Sequence, residues 1–150
     1  MLPIKKIIWP TDFSEPSYEA LKAAVELAEK FSSDLYVVHI LPILPVIAGP
    51  TGPTGFNVSL YQEEMEKSVK KSMENVLNTK VPKKIKTVSI IKQGEAAREI
   101  TETAEKEKAD LIVISTHGET GWKHFVFGSV AEKVVRLSSI PVLTIHAPKE

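Results

Sequence analysis

Residues 114–130, Ile-Ser-Thr-His-Gly-Glu-Thr-Gly-Trp-Lys-His-Phe-Val-Phe-Gly-Ser-Val, connect the pattern of a buried strand to the pattern of an amphipathic helix. The strand pattern is the apolar run 111–114. Gly118 and Gly128 have nine residues between them and can present backbone N–H groups without a Cβ in the way, and Ser129 lies at the predicted helix start. We therefore predict a strand-to-helix loop that suits an anion, with phosphate as the first candidate.

Strand and helix patterns alternate through the rest of the chain. Short apolar or β-branched segments predict five strands, at residues 4–9, 35–40, 86–91, 110–115 and 142–146. Apolar residues at three- and four-residue spacing predict four helices, which begin near Ser14, Ser59, Gly94 and Ser129. The order predicts an α/β fold: a doubly wound, five-stranded parallel sheet flanked by four helices. The third strand alternates polar and apolar residues, which favours an edge position.

Two details of the helices are also predicted. Ser14 is expected to cap the first helix, because hydroxyl oxygens accept from the unpaired N–H groups of a first turn. Ser129 could cap the fourth helix in the same way, instead of binding phosphate or in addition to it. The apolar residues of the fourth helix, Val130, Val134 and Leu137, are expected to define its inward face.

Composition narrows the class of protein. The chain has 150 residues, 43% of them hydrophobic, which is expected to form one domain, 1–150, with a sizeable core. A formal net charge of +0 gives no reason to expect nucleic acid or an anionic membrane as partner. The absence of cysteine excludes disulfides and thiolate sites. Without a signal-peptide pattern or a long apolar run, a cytoplasmic protein is the expectation.

A proline- and glycine-rich segment interrupts the alternation at residues 41–58. It predicts a long loop, which could serve as a lid or a partner contact or have no specific role.

The loops after strands one and four leave the sheet at the same edge. If these two strands are neighbours, Asp12 and the glycine loop face one crevice, where ligands of such sheets bind. Periodicity does not give strand order, so this adjacency is an assumption.

These motifs, taken together, resemble the universal stress protein family within the class of adenine-nucleotide-binding α/β domains (adenine nucleotide alpha hydrolase-like). The resemblance covers nearly the whole chain, from the Pro10-Thr11-Asp12 stretch through Gly94-Glu95-Ala96 to Gly128-Ser129-Val130. Similar members bind ATP through three glycines, spaced by two and nine residues, with a hydroxyl residue after the third. Here Gly118, Gly128 and Ser129 match, while Ser115 replaces the first glycine, and its Cβ is expected to weaken nucleotide binding without abolishing it.

The resemblance implies a site for ATP or AMP, with or without Mg²⁺, in which Asp12 contacts the nucleotide and the backbone of Ile40 meets adenine. The residues predicted to bind the nucleotide are Pro10, Thr11, Asp12, Ile40, Ile114, Ser115, Gly118, Gly128, Ser129 and Val130. Asp12 would repel bare phosphates, so it belongs near the ribose or near Mg²⁺. Because Ser14 is better placed as a cap, Asp12 is expected to be the freer of the two.

Three functions remain open at this point. The first is a nucleotide-binding regulatory protein. The second is a nucleotide-independent interaction module that is a homodimer and binds an unknown protein partner. The resemblance implies that the two copies pair through the last strand, Val142, Leu143, Thr144 and Ile145. The third, a slow ATPase or adenylyl-transferring enzyme, lacks a P-loop or nucleophile-elbow sequence, so no catalytic residues are assigned.

The histidines and aromatic residues of the loop have simpler explanations. His39, His117, His124 and His146 lack metal-ligand spacing, so no metal site is predicted. His117 and His124 could reach phosphate, but a solvated loop face is the simpler account. Trp122, Phe125 and Phe127 are expected to pack the loop down.

Overall fold

The fold is an all-parallel sheet with helices on both faces. The computed structural model describes residues 2–44, 57–117 and 127–148. In these ranges the chain order is β1 Lys6–Pro10, α1 Glu15–Phe31, β2 Asp34–Leu41, α2 Val58–Lys80, β3 Thr87–Gln93, α3 Ala96–Lys106, β4 Leu111–Ser115, α4 Ser129–Leu137 and β5 Val142–Ile145. The predicted fold class is confirmed, and each element lies within a few residues of its predicted position.

The strand order settles the adjacency that the sequence left open. The described strands form one sheet in the order β3-β2-β1-β4-β5. On one side of β1, residues 6–10 pair in register with residues 34–38 of β2; on the other, Ile7 pairs with Leu111 and Ile8 with Ile112 of β4. Strands one and four are therefore neighbours, and β3 lies at an edge as predicted.

Successive residues of the central strand serve different cores. Ile7 and Trp9 of β1 pack with α1 and α2, whereas Ile8 packs with α3 and α4. All three side chains are fully buried, since a parallel sheet covered on both faces leaves no strand face in water. The Trp9 indole N–H donates to the Ser17 carbonyl (2.9 Å), so the buried ring keeps a hydrogen-bond partner and ties β1 to α1.

Local signals fix the ends of α1. Ser14 caps it as predicted, its hydroxyl accepting from the Ser17 N–H (3.4 Å), and proline stands in the first turn. The helix ends at Ser32, which adopts a left-handed conformation (φ 55°) and donates its N–H to the Ala28 carbonyl.

The predicted inward face of α4 is partly wrong. Val134 is fully buried as expected, but Val130 is 37% exposed and Leu137 is 53% exposed. The helix buries Ala131 and Val134 instead. The small Ala131 side chain lets the helix approach the sheet, and Val130 and Leu137 then face outward.

Two predictions concern features that lie partly or wholly beyond the described residues. Within the proline- and glycine-rich segment 41–58, residues 45–56 lie outside the described ranges. The same is true of five residues of the glycine loop, Gly118, Trp122, Lys123, His124 and Phe125.

None of the helices in the described ranges combines the length and the apolar character that a membrane span needs.

The corrected face of α4 can be tested with two valines of that helix. Val134→Ala removes two buried methyl groups and should lower the free energy of unfolding by about 2 kcal/mol. Val135→Ala, at a side chain that is 47% exposed, is the matched control and should change it by less than about 0.5 kcal/mol. Urea denaturation followed by circular dichroism measures both, and equal losses would contradict the packing described.

Candidate functional site

A cleft of about 500 Å³ opens at the carboxyl edge of the sheet, where the loops after β1 and β4 leave on opposite faces. Its walls come from the ends of β1, β2 and β4 and from the first turns of α3 and α4. The lining residues are Pro10, Thr11, Asp12, Ser17, Val38, His39, Ile40, Ala96, Ile100, Ile114, Ser115, Thr116, His117, Phe127, Gly128, Ser129, Val130 and Ala131.

The β1 side of the cleft is a set of hydroxyl groups and one carboxylate. The Thr11 hydroxyl is buried, accepts from the Phe13 N–H (2.9 Å) and lies 2.9 Å from the Ser17 hydroxyl. Asp12 is exposed, and its Oδ1 accepts from both the N–H (3.0 Å) and the hydroxyl (2.5 Å) of Ser14. The expectation that Asp12 is freer than the cap is thus corrected: Ser14 caps α1 and holds the carboxylate as well.

The β2 side is mostly apolar. Ile40 and Val38 at the strand end face Ala96 and Ile100 of α3 across the cleft. His39 also lines the cleft, and its Nδ1 lies 2.8 Å from the Thr11 carbonyl. A carbonyl can only accept, so His39 carries its proton on Nδ1.

Ser115, the residue that replaces a glycine of the family pattern, ends β4. Its side chain is 8% exposed and its hydroxyl donates to the His117 carbonyl (2.6 Å). The hydroxyl is thereby held against the backbone of the turn.

Gly128 lies against the chain leaving β4. Its N–H donates to the Thr116 carbonyl, and a Cβ built on it would lie 2.7 Å from that oxygen. Its φ of −58° is open to any residue, so the close backbone contact, and not conformational freedom, requires glycine here.

The start of α4 carries no side-chain cap. Gly128 occupies the cap position and makes no side-chain hydrogen bond, so the prediction that Ser129 caps the helix is wrong: Ser129 is its first residue and is exposed. Ser129, Val130 and Ala131 form the first turn and line the cleft. Their N–H groups have no partner one turn earlier in the helix, so the positive end of α4 faces the cleft.

The neighbouring helix α3 is capped differently. The Glu95 carboxylate accepts from the N–H groups of Arg98 (3.0 Å) and Ala97 (3.4 Å). These bonds, chiefly that from Arg98, and the nearby Lys133 ammonium lower the pKa of Glu95. The positive end of α3 is therefore already satisfied by an anion of the chain itself.

Nine of the ten predicted binding residues line this one cleft, namely Pro10, Thr11, Asp12, Ile40, Ile114, Ser115, Gly128, Ser129 and Val130. Gly118 lies outside the described residues. Nine further lining residues were not in the predicted set, two of them, Ala96 and Ile100, from α3; the others are Ser17, Val38, His39, Thr116, His117, Phe127 and Ala131. The sequence did offer a signal for the α3 residues: α3 follows the third strand, and the carboxyl end of that strand lies at the same edge of the sheet as the carboxyl ends of the other strands.

A resident metal ion has no evident ligand set in the part of the chain that the structure describes. No group of three or more His, Cys, Asp or Glu side chains gathers there in a way that could hold one.

Comparisons with known proteins agree on one family. A model of the universal stress protein family matches residues 3–146. Universal stress protein MJ0531 of Methanocaldococcus jannaschii is 38% identical over 147 residues, which are 97% of this chain and 84% of that protein.

Solved structures share the fold. MJ0577, a universal stress protein of the same organism, superposes with a TM-score of 0.79 at 28% identity, over 98% of this chain and 99% of that one. A universal stress protein from Archaeoglobus fulgidus, solved in complex with dAMP, superposes with a TM-score of 0.62 at 21% identity, over 97% and 99%.

The close contact at Gly128 yields a test of the site's construction. Gly128→Ala should lower the free energy of unfolding by about 1–3 kcal/mol, because the new methyl group meets a backbone oxygen that cannot move aside. Ser129→Ala, one residue along and exposed, is the control and should cost less than about 0.5 kcal/mol. Thermal and urea denaturation measure the difference; a tolerated Gly128→Ala would contradict the contact.

Proposed function

The chain belongs to the universal stress protein family, and from that premise we propose that it binds an adenine nucleotide, ATP or AMP, in the cleft as a regulatory ligand. The observation that carries the proposal is the uncapped start of α4, which turns its first-turn N–H groups into the cleft. A protein of the same fold was solved in complex with dAMP.

The nucleotide's base belongs at the apolar side. Ile40, Ile114 and Ile100 line the cleft there with Ala96, and such side chains suit the faces of a planar, weakly polar ring. The backbone of Ile40 stands at the end of β2, where it can hydrogen-bond the edge of adenine as the family resemblance implies.

The phosphates belong at the start of α4. Two features favour an anion there: backbone N–H groups without intrahelical partners, and the positive end of the helix dipole. The Ser129 hydroxyl adds an exposed donor at the same place. Asp12 lies on the β1 side, so we assign it to the ribose hydroxyls or to water bound by Mg²⁺, with Pro10 and Thr11 beside it.

Ser115 is compatible with this arrangement. Its hydroxyl is bonded to the His117 carbonyl, so it does not need a partner from the ligand. What it adds to the cleft beyond a glycine is a Cβ and an oxygen facing the turn, and we expect a loss of affinity, not of binding.

A regulatory role is favoured over rapid turnover. Among the described residues no lysine or arginine lines the cleft, so none of them can neutralise the charge that develops on a transferring phosphoryl group. Ligand-dependent change, and not hydrolysis, is the function these residues support.

Calorimetric titration of ligand-stripped protein with ATP, AMP and adenosine, with and without Mg²⁺, tests the proposal. Saturable binding of AMP or ATP at or below millimolar concentration is expected. Ser129→Asp places a negative charge at the phosphate end and should weaken AMP and ATP by roughly tenfold, which equals about 1.4 kcal/mol, while adenosine binds unchanged.

The matched control adds the same charge elsewhere. Ser68→Asp lies exposed on α2, on the opposite face of the sheet, and should leave all three affinities unchanged. An unmodified protein that binds none of the three ligands would refute the proposed function.

A second function, homodimerisation through β5, is favoured by the outer edge of that strand, with which no other strand pairs in the described part of the chain. The carbonyls of Pro141 and Ile145 accept from the N–H groups of Ile112 and Thr116. In a parallel ladder the backbone N–H and C=O groups of the alternate residues, Val142 and Thr144, therefore point toward the outer edge. Leu143 of β5 and Leu137 of α4 are 38% and 53% exposed. We infer that a second copy covers this edge and its flanking apolar side chains.

Sedimentation equilibrium at micromolar concentration should show a dimer. Leu143→Lys should shift it toward monomer by about tenfold or more in dissociation constant, since a charge would enter an apolar contact. Leu60→Lys, at another exposed leucine on α2, is the control and should leave the dimer intact. A monomeric unmodified protein would count against this second function without touching nucleotide binding.

A further inference from the structure

Thr116 occupies a buried junction beside the cleft. It follows β4, is fully buried, and donates its N–H to the Ile145 carbonyl of β5 (2.9 Å). Its own carbonyl accepts from Gly128 at the start of α4. Its hydroxyl lies between two imidazoles, 2.8 Å from Nδ1 of His117 and 3.2 Å from Nδ1 of His146.

The chemistry of these three groups limits where their protons can be. A hydroxyl has one proton, so Thr116 can donate to only one of the two nitrogens. If it donates to one of them, the other histidine donates its own Nδ1 proton to the Thr116 oxygen. In that arrangement, with both rings neutral, they are opposite tautomers, one protonated on Nδ1 and the other on Nε2.

The two rings meet different surroundings. His117 is half-buried and lines the cleft, whereas His146 is exposed just beyond β5. Among the residues that the structure describes, the titratable groups that share the cleft with His117 are Asp12 from the β1 loop and His39 from β2. On α4, Glu132 is paired with Arg136 (3.6 Å) and Lys133 with Glu95 of α3 (3.7 Å).

We propose that Thr116 is a positioning residue for the nucleotide: it donates to His117 and accepts from His146, which leaves His117 with an Nε2–H aimed at the bound phosphate. The inference rests on the proposed function. It adds a phosphate ligand from the chain that follows β4, beside the start of α4, since the His117 Cα lies 3.6 Å from a Cβ built on Gly128. It also makes His146, at the end of the edge strand, report on whether phosphate is bound.

The tautomers can be observed directly. Two-bond ¹H–¹⁵N correlation spectra of histidine-labelled protein at about pH 8, where ordinary histidines are neutral, distinguish Nδ1–H from Nε2–H rings. With AMP as the probe at saturation, His117 is expected in the Nε2–H form and His146 in the Nδ1–H form. Two rings in the same tautomer, or the reverse assignment, would overturn the inference.

Variants test this relay, the chain of hydrogen bonds from His146 through Thr116 to His117, by their affinity for AMP. Thr116→Val keeps the shape but removes the hydroxyl, and should weaken AMP by about tenfold, leave adenosine unchanged and release His146 from its Nδ1–H form. Thr116→Ser should restore both properties. Unchanged AMP affinity and an unchanged His146 spectrum in Thr116→Val would overturn the inference.

An exposed position gives a second variant that does not threaten folding. His146→Ala removes the donor to Thr116 and should weaken AMP by about threefold, with adenosine again unchanged. An AMP affinity equal to that of the unmodified protein would contradict the relay. Failure of the unmodified protein to bind either AMP or ATP would instead refute the proposed function, so the two failures are distinguishable.

Discussion

The pairing of β1 with β4 is the constraint on which the site depends. Ile7 lies beside Leu111 and Ile8 beside Ile112, which puts the end of the first strand next to the end of the fourth. The chain leaves β1 for α1 on one face of the sheet and leaves β4 for α4 on the other, so the two connections diverge and a crevice stays open between them. Without this pairing, Asp12 and Gly128 would not share a cleft.

The elements could be predicted from the sequence because their signals are local, whereas strand order and helix faces are not. A continuous apolar run identifies β4, and alternation identifies β3 as an edge, without knowledge of any other segment. The face of α4 could not be predicted in the same way. Val130, Val134 and Leu137 have the right spacing, yet the sheet selects Ala131 for contact, because close packing rewards a small residue that a hydrophobicity pattern ranks low.

The residues of the candidate site also fall into those that local signals predict and those that depend on distant contacts. Residues such as Thr11 and Ile40 could be placed because they follow strands, and every strand of a parallel sheet ends at the same edge. The contact of Thr116 with His146 joins residues thirty positions apart, and nothing in the spacing of either announces it. Asp12 shows the opposite limit: the sequence indicated Ser14 as the cap, but it did not show that the same serine would also donate to the Asp12 carboxylate.

The proposed anion site arises from a side chain that is missing. Ser14, Asn57 and Glu95 each cap their helix with an oxygen. At Gly128 the Thr116 carbonyl occupies the space that a Cβ would need, so no residue with a side chain fits, and α4 begins uncapped at the cleft. Close backbone packing and ligand binding are usually treated as alternative reasons for a glycine at a given position. Here one follows from the other, because the contact that excludes a side chain also leaves the first helix N–H groups without a side-chain cap, and these are the groups we assign to phosphate.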